Sequence, residues 1–518
     1  MHMRQYQQYI LMLLCVATML GACKKGFLDV APPDKISSDF FWKTEGDADL
    51  ALSGLYNYLY QSGGGYATSM YEIFAWDNFS DNSYGQYNYG GGQTALSSGI
   101  TSQSGDFVAN YYTNSYKAIA AANSFIVNVD KVLTGDKLTR YKAEAYFIRA
   151  FNYFWLAQLY GNTVIVTEDP FSIDFTSTRA KSDRGDVLKL VEDDLNLAIA
   201  SLPDVTYGDG HAVKSTAQAY KVRALLFQKK YGEAAALAKE IMLGNKHSLY
   251  ANYAGNFYKP DQNTSKEIMF SVKYQRPNIL HQDVAVAVQL HRWKGELGTQ
   301  DLIDEYEAAD GKDTASSAVY VKGRPFENRD PRMRMTFFFP GDTKVQGWPF
   351  TGDLAIATPG KDSWIVGYYA VKKWLDPSLV DPDYGTIDDN DFVLLRYADV
   401  LLMFAEAQNE AVGADADVYT AMKLVRNRVN MPDLPVGLTK DEMRIRIRHE
   451  RRVEFALEGS RYFDLRRWGI ASTKLNGFVQ NPLTPTIKTK YEAHYDMWPL
   501  PQTEIDRNTP VLLQNPNY

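Results

Sequence analysis

Residues 392–468 constrain the fold most, because three successive amphipathic helices can be drawn on this stretch from spacing alone. From about Leu394 to Ala411, apolar residues recur at intervals of three, four and seven, which places them on one helical face. Gly413 is a suitable end for this helix, and either Asp415 or Asp417 can cap the next one. The stretch therefore predicts a helical protein whose helices are joined by short turns.

The second and third helices of this stretch carry equally clear end signals. The second halts before Pro432, since proline cannot continue a helix. The third begins near Thr439, where Thr439 and Glu442 have the spacing of a capping box, and it ends at Gly459.

The third helix is unusual because arginines and glutamates alternate along it. Glu450 and Glu454 share a face with the apolar Met443 and Ile447, so these carboxylates are expected to point inward. A buried carboxylate needs a partner, and arginine supplies a bidentate one. We therefore predict a structural ion-pair network. A basic surface for nucleic acid is the alternative, which the net charge of −7 and the interleaved acids disfavour.

The same region resembles the signature of the SusD/RagB family, the outer-membrane nutrient-binding lipoproteins of the Bacteroidetes. The resemblance lies in four segments, with a fifth and sixth at the chain end: Arg396–Met403, Ala405–Ala407, Glu450–Phe455, Glu458–Trp468, Trp498–Ile505 and Gln514–Tyr518. Asn517 stands where many members have glycine before the final tyrosine.

The resemblance implies a mainly α fold, namely a tetratricopeptide-like right-handed helical superhelix with an irregular, loop-rich ligand-binding face and a few short strands. It implies a single domain over residues 40–518. The helical platform is expected at about 40–60, 106–245 and 392–470, and the loop-rich binding region at about 62–105 and 250–391. Residues 215–241 independently resemble a tetratricopeptide helix pair, with small alanines at the crossing.

The N-terminus has the form of a bacterial lipoprotein signal. A short basic region and an apolar run of about ten residues, too short to span a bilayer, precede Leu20-Gly21-Ala22-Cys23. We expect residues 1–22 to be removed and Cys23 to carry lipid, which anchors the chain in the outer membrane facing the cell surface. An uncleaved anchor helix or a plain secretory signal is the alternative. Lys24-Lys25 replaces the acidic residues of many surface-export signals. The sequence therefore does not decide between anchoring at the cell surface and anchoring in the inner leaflet.

Residues 23–39 are expected to form a lipidated tether. The prolines of Phe27–Pro33 forbid helix, which predicts an extended segment that docks onto the body of the protein.

Residues 62–105 are rich in Gly, Ser, Asn and Tyr, and no helical period survives in them. These residue types support sugar binding. Rings stack on the apolar face of a sugar, and amides and carboxylates beside them bind its hydroxyls. The candidate ligand-binding residues here are Trp76, Asp77, Asn78, Asp81, Asn82, Tyr84, Tyr87 and Tyr89. Trp293 and Tyr320 are candidates in the second loop-rich region. The alternative for each ring is packing on the body, and Trp76→Ala is expected to weaken ligand binding without unfolding the protein.

The sequence lacks the motifs of common catalytic centres. It has no His-Glu-x-x-His, no Gly-x-Ser-x-Gly and no thiol beyond Cys15 and Cys23. The acidic run at 388–391 lacks the spacing of a calcium loop, so we interpret it as a solvated turn or helix cap, and no metal or cofactor is expected.

The sequence supports two main hypotheses. The first is a surface lipoprotein, not an enzyme, that binds a nutrient such as an oligosaccharide or peptide and delivers it to a partner TonB-dependent outer-membrane transporter. The second is a surface-tethered glycosidase or peptidase. A tetratricopeptide scaffold for protein complexes is a third, minor one. Nucleic acid is not expected as a partner.

Overall fold

The structure is a computed structural model. It describes residues 41–60, 73–85, 95–101, 106–174, 176–281, 286–288, 290, 295–339, 344–345, 348–349, 369–379, 386, 388–481, 484 and 486–518.

Helices dominate these residues. In chain order they are α1 (Glu45–Asn57), α2 (Ala95–Ser98), α3 (Asp106–Asn128), α4 (Gly135–Leu159), α5 (Arg184–Ser201), α6 (Lys214–Phe227), α7 (Tyr231–Leu243), α8 (Gln300–Glu305), α9 (Pro331–Thr336), α10 (Tyr397–Val412), α11 (Ala416–Arg428), α12 (Lys440–Glu454), α13 (Arg461–Arg467), α14 (Ala471–Leu475) and α15 (Gln502–Arg507). The strands are short: β1 (Ser83–Gly85), β2 (Ile268–Val272), β3 (Glu296–Gly298), β4 (Lys344–Val345), β5 (Trp348–Pro349), β6 (Tyr369–Ala370) and β7 (Phe392–Arg396). The mainly α fold with a few short strands is thus confirmed.

The long helices form an array in which each packs on the next, from α3 through α4, α5 and α6 to α7. The next neighbour in space is α10, which packs on α7 although residues 244–396 separate them in the chain. The segment 244–396 is therefore an insertion between two adjacent helices of the array. It carries every strand of the described residues except β1.

Aromatic rings interlock at the centre of the array. The ring of Phe147 on α4 meets Tyr220 on α6 edge-on, with 5.6 Å between ring centroids, and Phe270 on β2 at 5.1 Å. This edge-to-face geometry suits the ring quadrupoles. The first strand of the insertion is therefore packed directly onto the platform.

Two small sheets tie the insertion to the rest of the molecule. β2 and β7 form an antiparallel pair at the two ends of the insertion. β1, β3 and β6 form a three-stranded antiparallel sheet in the order β1-β3-β6, which joins the early loop at residues 73–85 to the insertion.

The end signals read from the sequence are confirmed. Gly413 follows α10 with a φ of 108°, Asp415 caps α11 through the Val418 amide, and Thr439 caps α12 in a complete capping box with Glu442.

Two boundaries differ from the sequence-based prediction. Residues 392–396, partly assigned to the first helix, form β7, because pairing with β2 outweighs their helical spacing. The charged helix α12 ends at Glu454 rather than at Gly459, and Leu457 and Gly459 both adopt positive φ in the turn that follows.

Candidate functional site

The candidate ligand face is built around the three-stranded sheet. In β1, Tyr84 lies opposite Leu297, and Gly85 lies opposite Glu296 at the start of β3. β1 ends two residues before Tyr87, and β3 begins three residues after Trp293. The two loop-rich regions that the sequence singles out therefore meet at this sheet.

The polar turn at residues 77–82 precedes β1, and its side chains face the interior. Four of the predicted ligand-binding residues lie here, and each is at most 1% exposed: Asp77, Asn78, Asp81 and Asn82. Tyr84, in β1 itself, is 6% exposed. In this conformation the four polar side chains are enclosed by protein and have no surface to offer a sugar.

The contacts of this turn are with the protein. Asn78 donates to Glu296 Oε2 of β3 at 2.5 Å, and Thr299 Oγ1 donates to the Asp81 carbonyl oxygen at 2.6 Å. Gln480 donates from its amide to the carbonyl oxygens of Asn78 and Ser80 in the turn and of Ser83 in β1, at 2.9–3.1 Å. Buried carbonyl groups need such donors, and Gln480 supplies them from a distant part of the chain. Nothing in the local sequence around Gln480 indicates this role.

Asp81 is the electrostatic anchor of the turn. Both of its carboxylate oxygens accept hydrogen bonds from Arg461 at 2.8 Å, in a bidentate pair. Arg452 lies 3.3 Å away and also donates to the Asn82 side-chain oxygen at 2.9 Å. Burial alone raises the pKa of a carboxyl group, but the two guanidinium groups hold the pKa of Asp81 well below its usual range.

Asp77 contrasts with Asp81 because its hydrogen bonds come from neutral donors. Its carboxylate accepts from the Leu457 backbone amide, and Asn82 donates to it at 3.4 Å. Burial raises the pKa of Asp77 to about 7, which these hydrogen bonds and the more distant charges of Lys373 and Arg461 only partly offset.

Trp76 lies in an aromatic cluster rather than on an open face. Its ring stacks on Trp498 at 5.7 Å and contacts Tyr111 at 5.7 Å, Phe463 at 5.5 Å and Phe79 at 5.4 Å.

Trp76 also borders a cavity of about 90 Å³ between α4, α6, α10 and the turn before α13. An engineered cavity of about 150 Å³ holds one benzene ring, and ligand pockets usually span roughly 300–1,000 Å³. This cavity is smaller than that range, and the ring of Trp76 makes its aromatic contacts with other rings of the protein.

The charged helix α12 also holds the insertion. Four buried arginines surround its two inward carboxylates, Glu450 and Glu454. Arg332 pairs with Asp330, Glu450 and Glu454; Arg426 with Glu307 and Glu450; Arg396 with Glu267, Glu454 and Glu458; and Arg428 with Glu267 and Glu454. The predicted ion-pair network is confirmed.

This network joins parts of the chain that are far apart in sequence. Arg332 lies in α9 within the insertion, whereas Arg426 lies near the end of α11 of the platform, and both meet on Glu450 at 2.6 and 2.8 Å. Burial would raise the pKa of Glu454, but Arg428, Arg396 and Arg332 hold it well below its usual value. The sequence indicated inward carboxylates without identifying the four arginines, because all four lie on other helices or strands.

α12 and the turn after it therefore connect the helical platform to both parts of the candidate ligand face, namely the turn before β1 and the insertion. One side of this connection, through Arg452 and Arg461, fixes the turn before β1. The other side, through Glu450 and Glu454, fixes the insertion that carries β3 and β6. Rigid support of this kind positions binding groups on loops.

The remaining predicted ligand residues are not part of the turn before β1 in the sequence. Tyr320 is partly buried, and Arg329 lies over its ring at 5.7 Å. Tyr87, Tyr89 and Trp293 lie outside the described residues.

The acidic run at 388–391 is buried, in contrast to the solvated turn expected from its composition. Asp391 accepts from Lys273 at 2.8 Å and from the Tyr274 amide at 2.9 Å, and Asp388 is only 2% exposed. Lys273 and Arg276, from the segment after β2, pair with Asp391 and Asp389, which sequence spacing could not show.

In the part of the chain that the structure describes, no group of three or more histidines, cysteines and acids is arranged to hold a metal ion. None of the helices in that part combines the length and the apolar character that crossing a membrane requires.

Models of known protein families match nearly the whole chain. Residues 239–518 match the model of the SusD family, and residues 26–226 match a model described as starch-binding associating with outer membrane. A SusD-like protein of Formosa agariphila is 25% identical over an alignment that covers 100% of both chains.

Solved structures agree with these matches. A SusD-like protein from Bacteroides fragilis superposes with a TM-score of 0.79 at 25% identity, over 94% of this chain and 100% of that one. A SusD-like carbohydrate-binding protein from the same organism superposes with a TM-score of 0.79 at 26% identity, over 90% of this chain and 99% of that one.

Proposed function

The chain belongs to the SusD family, and we propose that it is a cell-surface lipoprotein that binds a nutrient oligosaccharide and delivers it to a partner TonB-dependent outer-membrane transporter. Residues 1–22 would be the signal peptide and Cys23 the lipidated residue. The observation that carries glycan binding is the 26%-identical relative described as carbohydrate binding, which superposes over 90% of this chain.

We place the ligand on the face that the three-stranded sheet supports. Tyr87, Tyr89 and Trp293 are proposed as stacking rings, with Tyr320 at the side. The register of the sheet supports this choice, because Gly85 and Glu296 are paired neighbours and each leads within three residues to one of these rings. Sugar recognition by stacking needs rings on a firm base.

The buried residues of the turn receive a different role. We propose that Asp77, Asn78, Asp81 and Asn82 position β1 rather than touch the ligand, because their polar atoms bond to protein and are enclosed. Trp76 and Tyr84 are proposed to pack beneath the face, because the Trp76 ring stacks on Trp498 and Tyr84 is only 6% exposed.

A calorimetric screen tests the binding function. The chain from Lys24 onward is titrated with a panel of oligosaccharides and peptides, and each ligand is examined afterwards for breakdown. Saturable binding of an oligosaccharide with no turnover is expected. Formation of products would identify a surface-tethered glycosidase or peptidase instead, and selective binding of peptides would refute the oligosaccharide assignment.

Ring substitutions test the location of the site. Tyr87→Ala and Trp293→Ala are each expected to weaken binding about fivefold or more, since stacking contributes about 1 kcal/mol or more per ring. Phe171→Ala is the matched control, because Phe171 is a ring that is 63% exposed and lies between α4 and α5. Loss of binding in the control alone would place the site elsewhere.

Delivery to a transporter requires a separate measurement. A tagged chain isolated from its native outer membrane with a mild detergent is expected to bring a TonB-dependent transporter with it. Isolation of the chain without a transporter, from membranes that are taking up the glycan, would refute the delivery step while leaving glycan binding intact.

A further inference from the structure

An apolar groove of about 650 Å³ runs between α1 and α3. Its walls combine small residues with rings: Ala51, Gly54, Ala121, Phe41, Tyr58 and Phe171. Phe171, at its edge, is 63% exposed. Apolar rings left open to water in this way indicate a surface that another group covers.

Gly54 shows that the groove is open rather than collapsed. It lies inside α1, where glycine weakens a helix, yet a Cβ atom added to it would have nothing within 4 Å. No described residue therefore lies close enough to Gly54 to exclude a Cβ atom at this position.

The chain itself leads into this groove. Phe41 is the first described residue, and it lines the groove beside Trp42. The segment just before it in the sequence contains Phe27-Leu28-Asp29-Val30-Ala31-Pro32-Pro33, which combines apolar side chains with prolines that disfavour helix.

We propose that the segment 27–36 of this same chain lies in the groove between α1 and α3. Phe27, Leu28 and Val30 supply the apolar side chains that cover it. Asp29 or Asp34 supplies the counter-charge for Lys117, an exposed groove residue that forms no ion pair with the described residues.

Two further observations favour this occupant over a separate partner. The match to the outer-membrane starch-binding model begins at residue 26, so this segment falls within the matched region. A covalently attached segment also meets its groove at an effective concentration of about millimolar, which a separate partner rarely reaches.

The docked segment would set the distance between the body and the membrane, if Cys23 is lipidated as proposed. Residues 24–40 could extend to about 60 Å as a free chain, whereas the three residues 24–26 span only about 10 Å. Docking therefore converts a long tether into a short one and fixes which face of the body looks outward.

Hydrogen exchange of the full chain in lipid nanodiscs tests the proposal. The amides of residues 27–36 are expected to exchange at least tenfold more slowly than those of an unprotected peptide. Gly54→Phe, whose Cβ meets nothing within 4 Å and whose ring would occupy the groove, is expected to remove this protection and to speed tryptic cleavage at Lys35. Gly232→Phe in α7 is the matched control, because a Cβ there also meets nothing within 4 Å.

Leu28→Ser supplies the complementary variant, since it lies in the tether and leaves the body unchanged. It is expected to lose protection over 27–36 as Gly54→Phe does. Rapid exchange in the wild-type chain would overturn the proposal, and so would protection that persists in Gly54→Phe. A groove substitution that abolishes transporter co-isolation or glycan binding, with exchange over 27–36 unchanged, would assign the groove to those partners instead.

Discussion

Asp81→Asn separates an anchoring role from a ligand-binding role for the turn before β1. The substitution keeps the shape of the side chain but removes its charge. Arg461 then loses its bidentate carboxylate, and it has no other carboxylate within ion-pair distance among the described residues. Arg452 keeps Asp301 and Glu305, at 2.6 and 2.8 Å.

The expected cost follows from burial. Asp81 and Arg461 side chains are 1% and 7% exposed, and leaving one member of a buried pair unpartnered costs about 3–5 kcal/mol. A chain of 518 residues unfolds with an entropy of about 1.1 kcal/mol/K at 2.1 cal/mol/K per residue, so a loss of about 3 kcal/mol lowers Tm by about 3 °C.

Scanning calorimetry of the wild type and variant measures this shift. Asp193→Asn is the matched control, because Asp193 pairs with Lys189 in an ion pair whose side chains are 55% and 72% exposed. Its Tm is expected to fall by less than about 1 °C, since exposed pairs contribute at most about 1 kcal/mol.

A Tm for Asp81→Asn equal to that of the control would refute the anchoring argument, above all if ligand affinity fell at the same time. A double-mutant cycle with Arg461→Met sharpens the result. The coupling energy between Asp81 and Arg461 is expected to be at least about 2 kcal/mol, because the second substitution removes the charge that the first leaves uncompensated.

Three other substitutions test neighbouring parts of the structure. Trp76→Ala is expected to cost about 3 kcal/mol through lost ring packing, which lowers Tm by about 3 °C without unfolding the protein; unchanged Tm in calorimetry would contradict this. Asp77→Asn is expected to flatten the pH dependence of stability. With a pKa of about 7 folded and 3.8 unfolded, the folded state holds the extra proton between these values, so stability falls by up to about 1.4 kcal/mol per unit as pH rises from about 4 to 7. Identical Tm profiles for wild type and variant would count against it. Glu450→Gln is expected to cost about 2 kcal/mol by removing the buried carboxylate that Arg332 and Arg426 share, although each arginine keeps another carboxylate; a chemical denaturation midpoint equal to that of the wild type would refute it.

Local signals in the sequence determined the platform. Helix ends at Gly413, Asp415 and Thr439 depend on hydrogen bonds within a few residues, so composition and spacing suffice to place them. The inward direction of Glu450 and Glu454 came from helical periodicity for the same reason. The family resemblance lies in this region, where the chain is locally most determined.

Only the tertiary structure decided which residues pair with Glu450 and Glu454, and how deeply the side chains of the loop that contains Trp76 are buried. Asp77, Asp81 and Trp76 have the composition of a sugar site, but whether a polar or aromatic residue faces solvent depends on what packs over it. Here the covering groups come from Arg452, Arg461 and Trp498, about 370 residues or more further along the chain. Contacts across such separations leave no periodic signal in one sequence, which is why the sequence identified the loop but not the burial of Asp77 and Asp81.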